Sequence, residues 1–369
     1  MNTRAPHIVI DGRIRRTSTG RYVDRLLFHL QKVDQHHRYT ILLQPDDPWK
    51  PTAKNFHAVA CPFPQFSFNP IDQFRFAALL YRLRPMLVHF TMTQQPLLYF
   101  GKIVTTTHDL TMFSFVRRGT TRKSIYRLKL RLYRMMMEIA HHKSRWIIVP
   151  SRNTAKEVAD LQPSVAHKIA VTYEASDLPL TKKGIQPSGV SGDFLLYVGT
   201  AFPHKNLPVL VPALNELQKT FPTLQLVLTG KKESHYEELE TWSRNQPAGM
   251  SVIFTGYVSD ESLKWLYEHC QAYVFPSLSE GFGLPPIEAM SYGAPVIASK
   301  ASCIPEVCGD GAIYFDAKSP EDITRAVSFV LKDKKLRKDL SERGQLQAKK
   351  YSWERMARET LTIYKSALS

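Results

Sequence analysis

Short runs of apolar and β-branched residues recur along the first half of the chain. Between several of them, apolar residues return at every third or fourth position. His7–Asp11, 39–43, 86–90, 102–107 and Trp146–Val149 predict buried strands. Gly20–Val33 predicts a helix with Tyr22, Leu26, Leu27 and Leu30 on one face. Further helical patterns fall near 70–83, 121–140 and 152–161. Strands alternating with helices imply a parallel sheet covered by helices.

The stretch 176–193 breaks this rhythm with Pro179, Gly184, Pro187, Gly189 and Gly192, and reads as a linker. The alternation then restarts. Strands are expected at Phe194–Val198, 224–228, 251–254, Ala272–Phe275 and 295–298, with helices near 205–219, 233–244, 260–268 and 286–292. A last amphipathic helix, Trp353–Leu368, follows several exposed charged turns. At 369 residues the chain is too long for one ordinary core. Two doubly wound α/β domains are expected. Ligands in such sheets gather beyond the carboxyl ends of strands. The natural site is the cleft between the domains.

Composition narrows the class. The apolar fraction, 43%, is that of a globular protein, and no apolar run approaches the ~18–20 residues of a membrane span. The N-terminus enters a strand-like run without the longer apolar stretch of a signal peptide. Cys61, Cys270, Cys303 and Cys308 form no CxxC pair and suggest no zinc site. A soluble, unexported protein in a reducing cytosol is the expectation, with buried thiols. Charge is unevenly placed. Of the net +16, residues 1–185 hold 29 Lys/Arg against 12 Asp/Glu, whereas the remainder is almost neutral. One half is therefore expected to meet an anionic surface or substrate.

One segment carries chemistry. The apolar run Ala272–Phe275 leads through Pro276-Ser277 into Ser279-Glu280-Gly281-Phe282-Gly283-Leu284-Pro285-Pro286-Ile287-Glu288. This is a strand, a Gly-rich turn and a helix opened by prolines, which are tolerated in a first turn. Free N–H groups and the helix dipole at such a start favour an anion. Glu280 and Glu288 frame the turn and are suited to accept hydrogen bonds from hydroxyls. A phosphate flanked by polyols describes a nucleoside-diphosphate sugar. A Gly-rich turn taken alone is equally an ordinary strand–turn–helix.

The residues from Phe275 to Ser299 resemble the E-x7-E region of family 4 retaining glycosyltransferases over some 25 positions. That family has the GT-B fold: two Rossmann-like domains facing a central cleft, with the C-terminal helix crossing back to the first domain. The resemblance implies an N-terminal acceptor-side domain over 1–178 with 352–369, and a donor-binding domain over 193–351. It implies that Glu280 contacts the donor sugar, Glu288 the ribose, and the amides of Phe282, Gly283 and Leu284 the diphosphate, with Gly281 in the same turn. Tyr197-Val198-Gly199-Thr200-Ala201-Phe202-Pro203-His204-Lys205-Asn206 is similar to the family's "PRKN" loop, with Lys205 pairing the diphosphate. Thr200 stands where some members carry Arg, and His204 where many do. Phe254-Thr255-Gly256-Tyr257-Val258 resembles the loop that holds the base, and Thr106-Thr107-His108-Asp109 the "HD" at which His108 approaches the donor sugar. Thr17-Ser18-Thr19-Gly20-Arg21-Tyr22 is similar to the family's "TGIGRY" loop, with Ser18 and Thr19 replacing Gly and Ile.

The implied reaction is transfer of a hexosyl group, mannosyl by the form of the Lys205 loop, from a GDP- or UDP-sugar to a glycan or lipid-linked acceptor. Configuration is retained. No cofactor is implied, and without an Asp-x-Asp motif no metal. Two other readings stay open: a sugar-nucleotide epimerase on the same fold, and a non-catalytic sugar-nucleotide-binding membrane scaffold.

Residues 117–145 hold ten Lys/Arg and one acid. At helical spacing Ile125, Leu128, Leu132, Met136 and Ile139 form an apolar stripe. Arg122, Lys123, Arg127, Arg131 and Arg134 supply basic positions. Such a helix either faces the core with a solvated basic back or lies on anionic lipid at the inner face of the cell membrane. No nucleic-acid-binding motif appears.

Overall fold

The computed structural model describes residues 5–17, 19–64, 67, 69–115, 123–177 and 182–369, with 123–125 described in backbone only. Two compact units emerge. The first ends at Glu174 and is rejoined by Ser352–Ser369; the second runs from Ala175 to Tyr351.

The first unit is built on seven parallel strands: β1 (His7–Asp11), β2 (Arg38–Leu43), β3 (Phe56–Ala60), β4 (Leu87–Phe90), β5 (Ile103–Thr106), β6 (Trp146–Val149) and β7 (Ile169–Val171). Their order is β3-β2-β1-β4-β5-β6-β7, so the winding reverses between β1 and β4. Val9 sits opposite both Thr40 and Val88 in this central register. The covering helices are α1 (Gly20–Val33), α2 (Pro70–Leu83), α3 (Thr111–Ser114), α4 (Lys123–Lys143) and α5 (Arg152–Leu161). Asn69 caps α2 by accepting from Ile71 N–H, with Pro70 at the tolerated first position. Two strands escape the apolar-run rule. β3 is a sheet edge with His57, Ala58 and Ala60 exposed, and β7 has three half-buried residues.

The second unit has six parallel strands: β8 (Phe194–Val198), β9 (Gln225–Thr229), β10 (Val252–Gly256), β11 (Ala272–Phe275), β12 (Val296–Ser299) and β13 (Ala312–Phe315). The order β10-β9-β8-β11-β12-β13 reverses between β8 and β11. Its helices are α6 (Leu210–Gln218), α7 (Ser234–Arg244), α8 (Asp260–His269), α9 (Leu284–Ser291), α10 (Ile304–Cys308), α11 (Pro320–Lys332) and α12 (Lys334–Ala348). The helix expected over 205–219 starts only at Leu210. Asn206 is left-handed at φ 57° and Pro208 follows, so 203–209 forms two short 3-10 turns instead. The charged turns expected before Trp353 are helices. α11 carries a full start signal, a Ser319 cap with Pro320, Glu321 and Asp322, and buries Ile323, Ala326, Val327 and Val330. α12 escapes the periodicity because the face it buries is thin: Leu340, Gly344, Gln347 and Ala348.

α13 (Trp353–Leu368) belongs to the first unit and packs along α1. A buried polar chain ties it down. The Tyr364 hydroxyl lies 2.6 Å from His89 Nδ1, and His89 Nε2 lies 2.8 Å from Thr106 Oγ1. Tyr22 Oη is 3.2 Å from the same threonine oxygen. Burial pushes the His89 pKa down to about 3, so its imidazole stays neutral.

Candidate functional site

In the second unit the expected site residues Lys205 and Glu280 come together where the winding reverses, beyond the carboxyl ends of β8 and β11, the place a doubly wound sheet offers a ligand. Lys205 stands on the 3-10 turn Pro203–Lys205 that follows β8, and Glu280 on the turn that follows β11. Lys205 Nζ lies 2.6 Å from Glu280 Oε1, with the two side chains 14% and 11% exposed. The two loops are sewn together by Leu278 N–H, which donates to the His204 carbonyl at 2.7 Å. Ser277 Oγ is 2.6 Å from Glu280 Oε1. Ser302 fixes the Glu280 backbone from both sides, its Oγ donating to the carbonyl at 2.9 Å and accepting from the N–H at 3.3 Å. Asn206 Nδ2 donates to the Ala317 carbonyl at 2.7 Å, anchoring the Lys205 turn. Ser277 and Ser302 escaped the sequence reading because each sits beside the motif with no pattern of its own.

The turn ahead of α9 is shaped by backbone need. Gly283 caps the helix at φ 87°, and a Cβ there would meet nothing within 4 Å. Glycine is thus demanded by the left-handed conformation and not by crowding. Phe282 turns inward, its ring edge-on to Tyr351 at 5.3 Å. Pro285 and Pro286 have no N–H, so the N–H groups at this helix start without intrahelical acceptors are those of Gly283 and Leu284. Gly281 is half-buried in the same turn, and Glu288 lies in the second turn of α9.

The rest of the expected donor set lies on neighbouring strand ends. The Thr200 carbonyl accepts from Tyr197 Oη at 2.8 Å. Gly230, after β9, approaches so closely that a Cβ would fall 2.0 Å from the Gly199 oxygen. Gly230 N–H in turn donates to the Gly256 carbonyl at 3.1 Å, tying the ends of β8, β9 and β10 together. Gly256 is left-handed at φ 71°, Tyr257 is 81% exposed and Val258 is half-buried.

In the first unit His108 follows β5. Its Nε2 is 2.9 Å from the Thr91 carbonyl, which requires the proton on Nε2, and its Nδ1 is 3.6 Å from Glu174 Oε1. The Tyr22 ring meets the imidazole edge-on at 4.9 Å. Glu174 is a further buried acid, on the segment after β7, to which the sequence reading gave no role. Gly20 has a local reason to be glycine: a Cβ would fall 1.7 Å from the Arg15 carbonyl oxygen. Its loop packs on itself at this point.

The basic helix departs from the expected stripe. Met136 is buried, but Leu128, Leu132 and Met135 are 57%, 38% and 47% exposed. At 100° per residue these three share one outward face, flanked by exposed Arg127, Arg131 and Arg134. Arg134 pairs with Glu138 at 2.8 Å. Arg122 lies outside the described residues, as does the side chain of Lys123. Nearby in the chain, α2 turns Ile71, Phe74 and Tyr81 outward, and Leu98 and Phe100 are also exposed. Among the described residues no helix is long and apolar enough to cross a membrane. Cys61, Cys270, Cys303 and Cys308 are free and buried.

The second half matches the model of the family "Glycosyl transferases group 1" over residues 182–347, and the first half that of "Glycosyltransferase Family 4" over 19–178. The O-antigen chain mannosyltransferase B of Escherichia coli is 36% identical over 176 residues, 47% of this chain and 45% of that one. Matches to the first curated relatives span less than half of those proteins' length. Among solved structures, sucrose-phosphate synthase from Thermosynechococcus elongatus superposes with a TM-score of 0.77 at 18% identity, over 98% of both chains. Anabaena HepE, in complex with UDP and glucose, gives 0.73 at 15% identity over 98% of this chain and 100% of that one. The fold of both units together is the two-domain parallel α/β architecture of GT-B glycosyltransferases.

Proposed function

Since this chain belongs to the group 1, family 4 type of glycosyltransferases, we propose that it transfers a hexosyl group, mannosyl in the first instance, from a nucleoside-diphosphate sugar to a glycan or lipid-linked acceptor. The observation that carries this reading is the Lys205–Glu280 pair at the β8/β11 reversal, beside the amides of Gly283 and Leu284. Together they offer a cation and N–H donors for a diphosphate, and a carboxylate for sugar hydroxyls. Among the described residues both hydrogen bonds to the Glu280 carboxylate fall on Oε1, which leaves Oε2 lone pairs for a hydroxyl donor. The mannosyl choice rests on the names of the O-antigen mannosyltransferase relatives.

In the proposed reaction the bond from the anomeric carbon to the β-phosphate oxygen breaks, and its electron pair leaves with the diphosphate. Lys205, the two amides and the α9 dipole meet that charge as it develops, the term that dominates most such catalysis. The acceptor oxygen takes the anomeric carbon on the same face, and its proton passes to the departing phosphate. In this scheme no metal is required. His108, its ring fixed by Thr91 and Tyr22, is assigned to the donor sugar. Glu288 and 256–258 are assigned to ribose and base, and the exposed leucines and arginines of α4 to an anionic membrane carrying the acceptor.

The test is a donor screen. GDP-mannose and other GDP- and UDP-sugars are incubated with lipid-linked and free glycan acceptors, and released nucleoside diphosphate is measured in EDTA and in Mg²⁺. Acceptor-dependent release unaffected by EDTA, with retained anomeric configuration by NMR, is expected. Conversion of the donor without acceptor would instead mark an epimerase.

A further inference from the structure

His108 and Glu174 come together over the end of β6. Thr107 N–H donates to the Ile148 carbonyl and Thr172 N–H to the Val149 carbonyl, each at 2.9 Å. The loops after β5 and β7 therefore both leave the sheet against that strand. The imidazole is fixed from two sides. Its Nε2–H donates to the Thr91 carbonyl at 2.9 Å, and the Tyr22 ring packs edge-on at 4.9 Å. With the proton so placed, Nδ1 of the neutral ring presents a lone pair. What it faces is a second acceptor, Glu174 Oε1, at 3.6 Å. Glu174 is 7% exposed, and among the described residues its carboxylate accepts no hydrogen bond.

Buried polar groups are normally hydrogen-bonded, and a carboxylate left without any bond is costly. Leucine would fill the same space without that cost. Two bare acceptors side by side point to a ligand that brings two donors. Both side chains keep a small accessible share, 11% and 9%, beyond the carboxyl ends of strands, where a doubly wound sheet receives ligands. Among the described residues no third His, Cys, Asp or Glu completes a metal-holding group with them, so a metal ion would find two protein ligands only. Two neighbouring hydroxyls of one sugar ring satisfy both acceptors. One donates to Nδ1 and the other to the carboxylate, the second bond being strengthened by the charge.

We propose that Glu174 is a donor-sugar-binding residue, and that it seats two neighbouring hydroxyls of the transferred sugar together with His108 Nδ1. The inference deepens the transferase reading and rests on it for the identity of the sugar. It gives the sugar an acid from the first unit in addition to Glu280 from the second.

The full chain is titrated calorimetrically with GDP-mannose and UDP-glucose, and separately with GDP and UDP. Glu174→Gln and Glu174→Leu are compared with the natural protein. Both variants keep side-chain bulk, and their folding is checked by circular dichroism. The natural protein is expected to bind one of the sugar nucleotides and its parent nucleotide. Glu174→Leu should lose about tenfold or more in affinity for the sugar nucleotide, as expected for one lost hydrogen bond to a charged group. Glu174→Gln, which keeps an acceptor oxygen, should lose less. Both should bind the bare nucleotide unchanged. The thermal midpoint of Glu174→Leu should not fall, because a buried carboxylate without hydrogen bonds has been removed. Equal sugar-nucleotide affinity in a folded Glu174→Leu overturns the proposal, and with a lowered midpoint it marks Glu174 as a structural ion-pair partner of His108. An equal loss of sugar nucleotide and bare nucleotide overturns it too. Binding of no nucleotide and no sugar nucleotide by the natural protein sinks the donor reading, and the seat with it.

Discussion

Lys205 Nζ and Glu280 Oε1 lie 2.6 Å apart although 75 residues separate them in the chain. β8 and β11 are neighbours in the sheet without being consecutive, so the loops that follow them meet. The cation proposed to meet a diphosphate is thus held beside the carboxylate proposed to meet the sugar. A diphosphate arriving there competes with Glu280 for Lys205. Glu280→Ala should therefore lower turnover by about 10²-fold or more, the scale of losing one positioned charge contact in a transition state. Nucleoside diphosphate affinity should be kept or slightly raised. Steady-state kinetics beside a binding titration checks both halves, and unimpaired turnover would remove Glu280 from the chemistry.

His89 makes the first unit sensitive to acid. Its folded pKa of about 3 lies below the unfolded value of 6.5, so between those values the unfolded chain binds the extra proton. Stability from this group is complete above pH 6.5 and is lost as pH falls toward 3. The loss should reach roughly 2 kcal/mol by pH 5. Urea unfolding at pH 7 and pH 5 measures it. His89→Gln, though less stable at pH 7, should show a shallower decline. An equal slope would place the sensitivity elsewhere, with buried His141, pushed down to about 4, the next group to replace.

Gly283 and Gly20 should fail for different reasons. At Gly283 a methyl group has room but the backbone is left-handed, so Gly283→Ala carries strain of about 1–2 kcal/mol and Gly283→Asn less. Nucleotide affinity should follow the same order, because the adjoining amides move with the turn. At Gly20 a methyl group meets the Arg15 carbonyl, so Ala and Asn should both be disruptive. Thermal midpoints of the four variants separate the two cases.

The outward face of α4 should bring the protein to anionic vesicles and leave it off neutral ones. Each basic side chain near such a surface is worth about 1 kcal/mol. Leu128→Ser with Leu132→Ser should weaken flotation at all salt concentrations. Arg127→Gln with Arg131→Gln should weaken it mainly at low salt. Negligible binding to both lipids would dismiss the membrane assignment.

Much of this was legible from residue patterns, and the gaps have physical causes. Strands such as β1 and β11 announce themselves because they are buried on both faces. β3 does not, because as an edge strand it carries His57 and Ala60 in water. α12 buries mainly small residues and one leucine, too thin a stripe for periodicity. The Glu280 turn was readable as a candidate site, since two acids around glycines before a proline-opened helix have few structural excuses. Its supports were not. Ser302 meets Glu280 only once β12 is laid beside β11. Glu174 meets His108 only when β7 is placed at its end of the sheet. Leu128 and Leu132 look like core residues in sequence, and only the packing of α4 turns them outward.

The claim that Lys205 and Glu280 frame a nucleoside-diphosphate sugar site is tested most directly by calorimetric titration of GDP and UDP into the natural protein, Lys205→Ala and Glu280→Ala. We expect one nucleotide to bind the natural protein and Glu280→Ala with similar affinity, and Lys205→Ala at least tenfold more weakly, a loss of about 1.4 kcal/mol. Binding of neither nucleotide to the natural protein, or equal binding by all three, would contradict it.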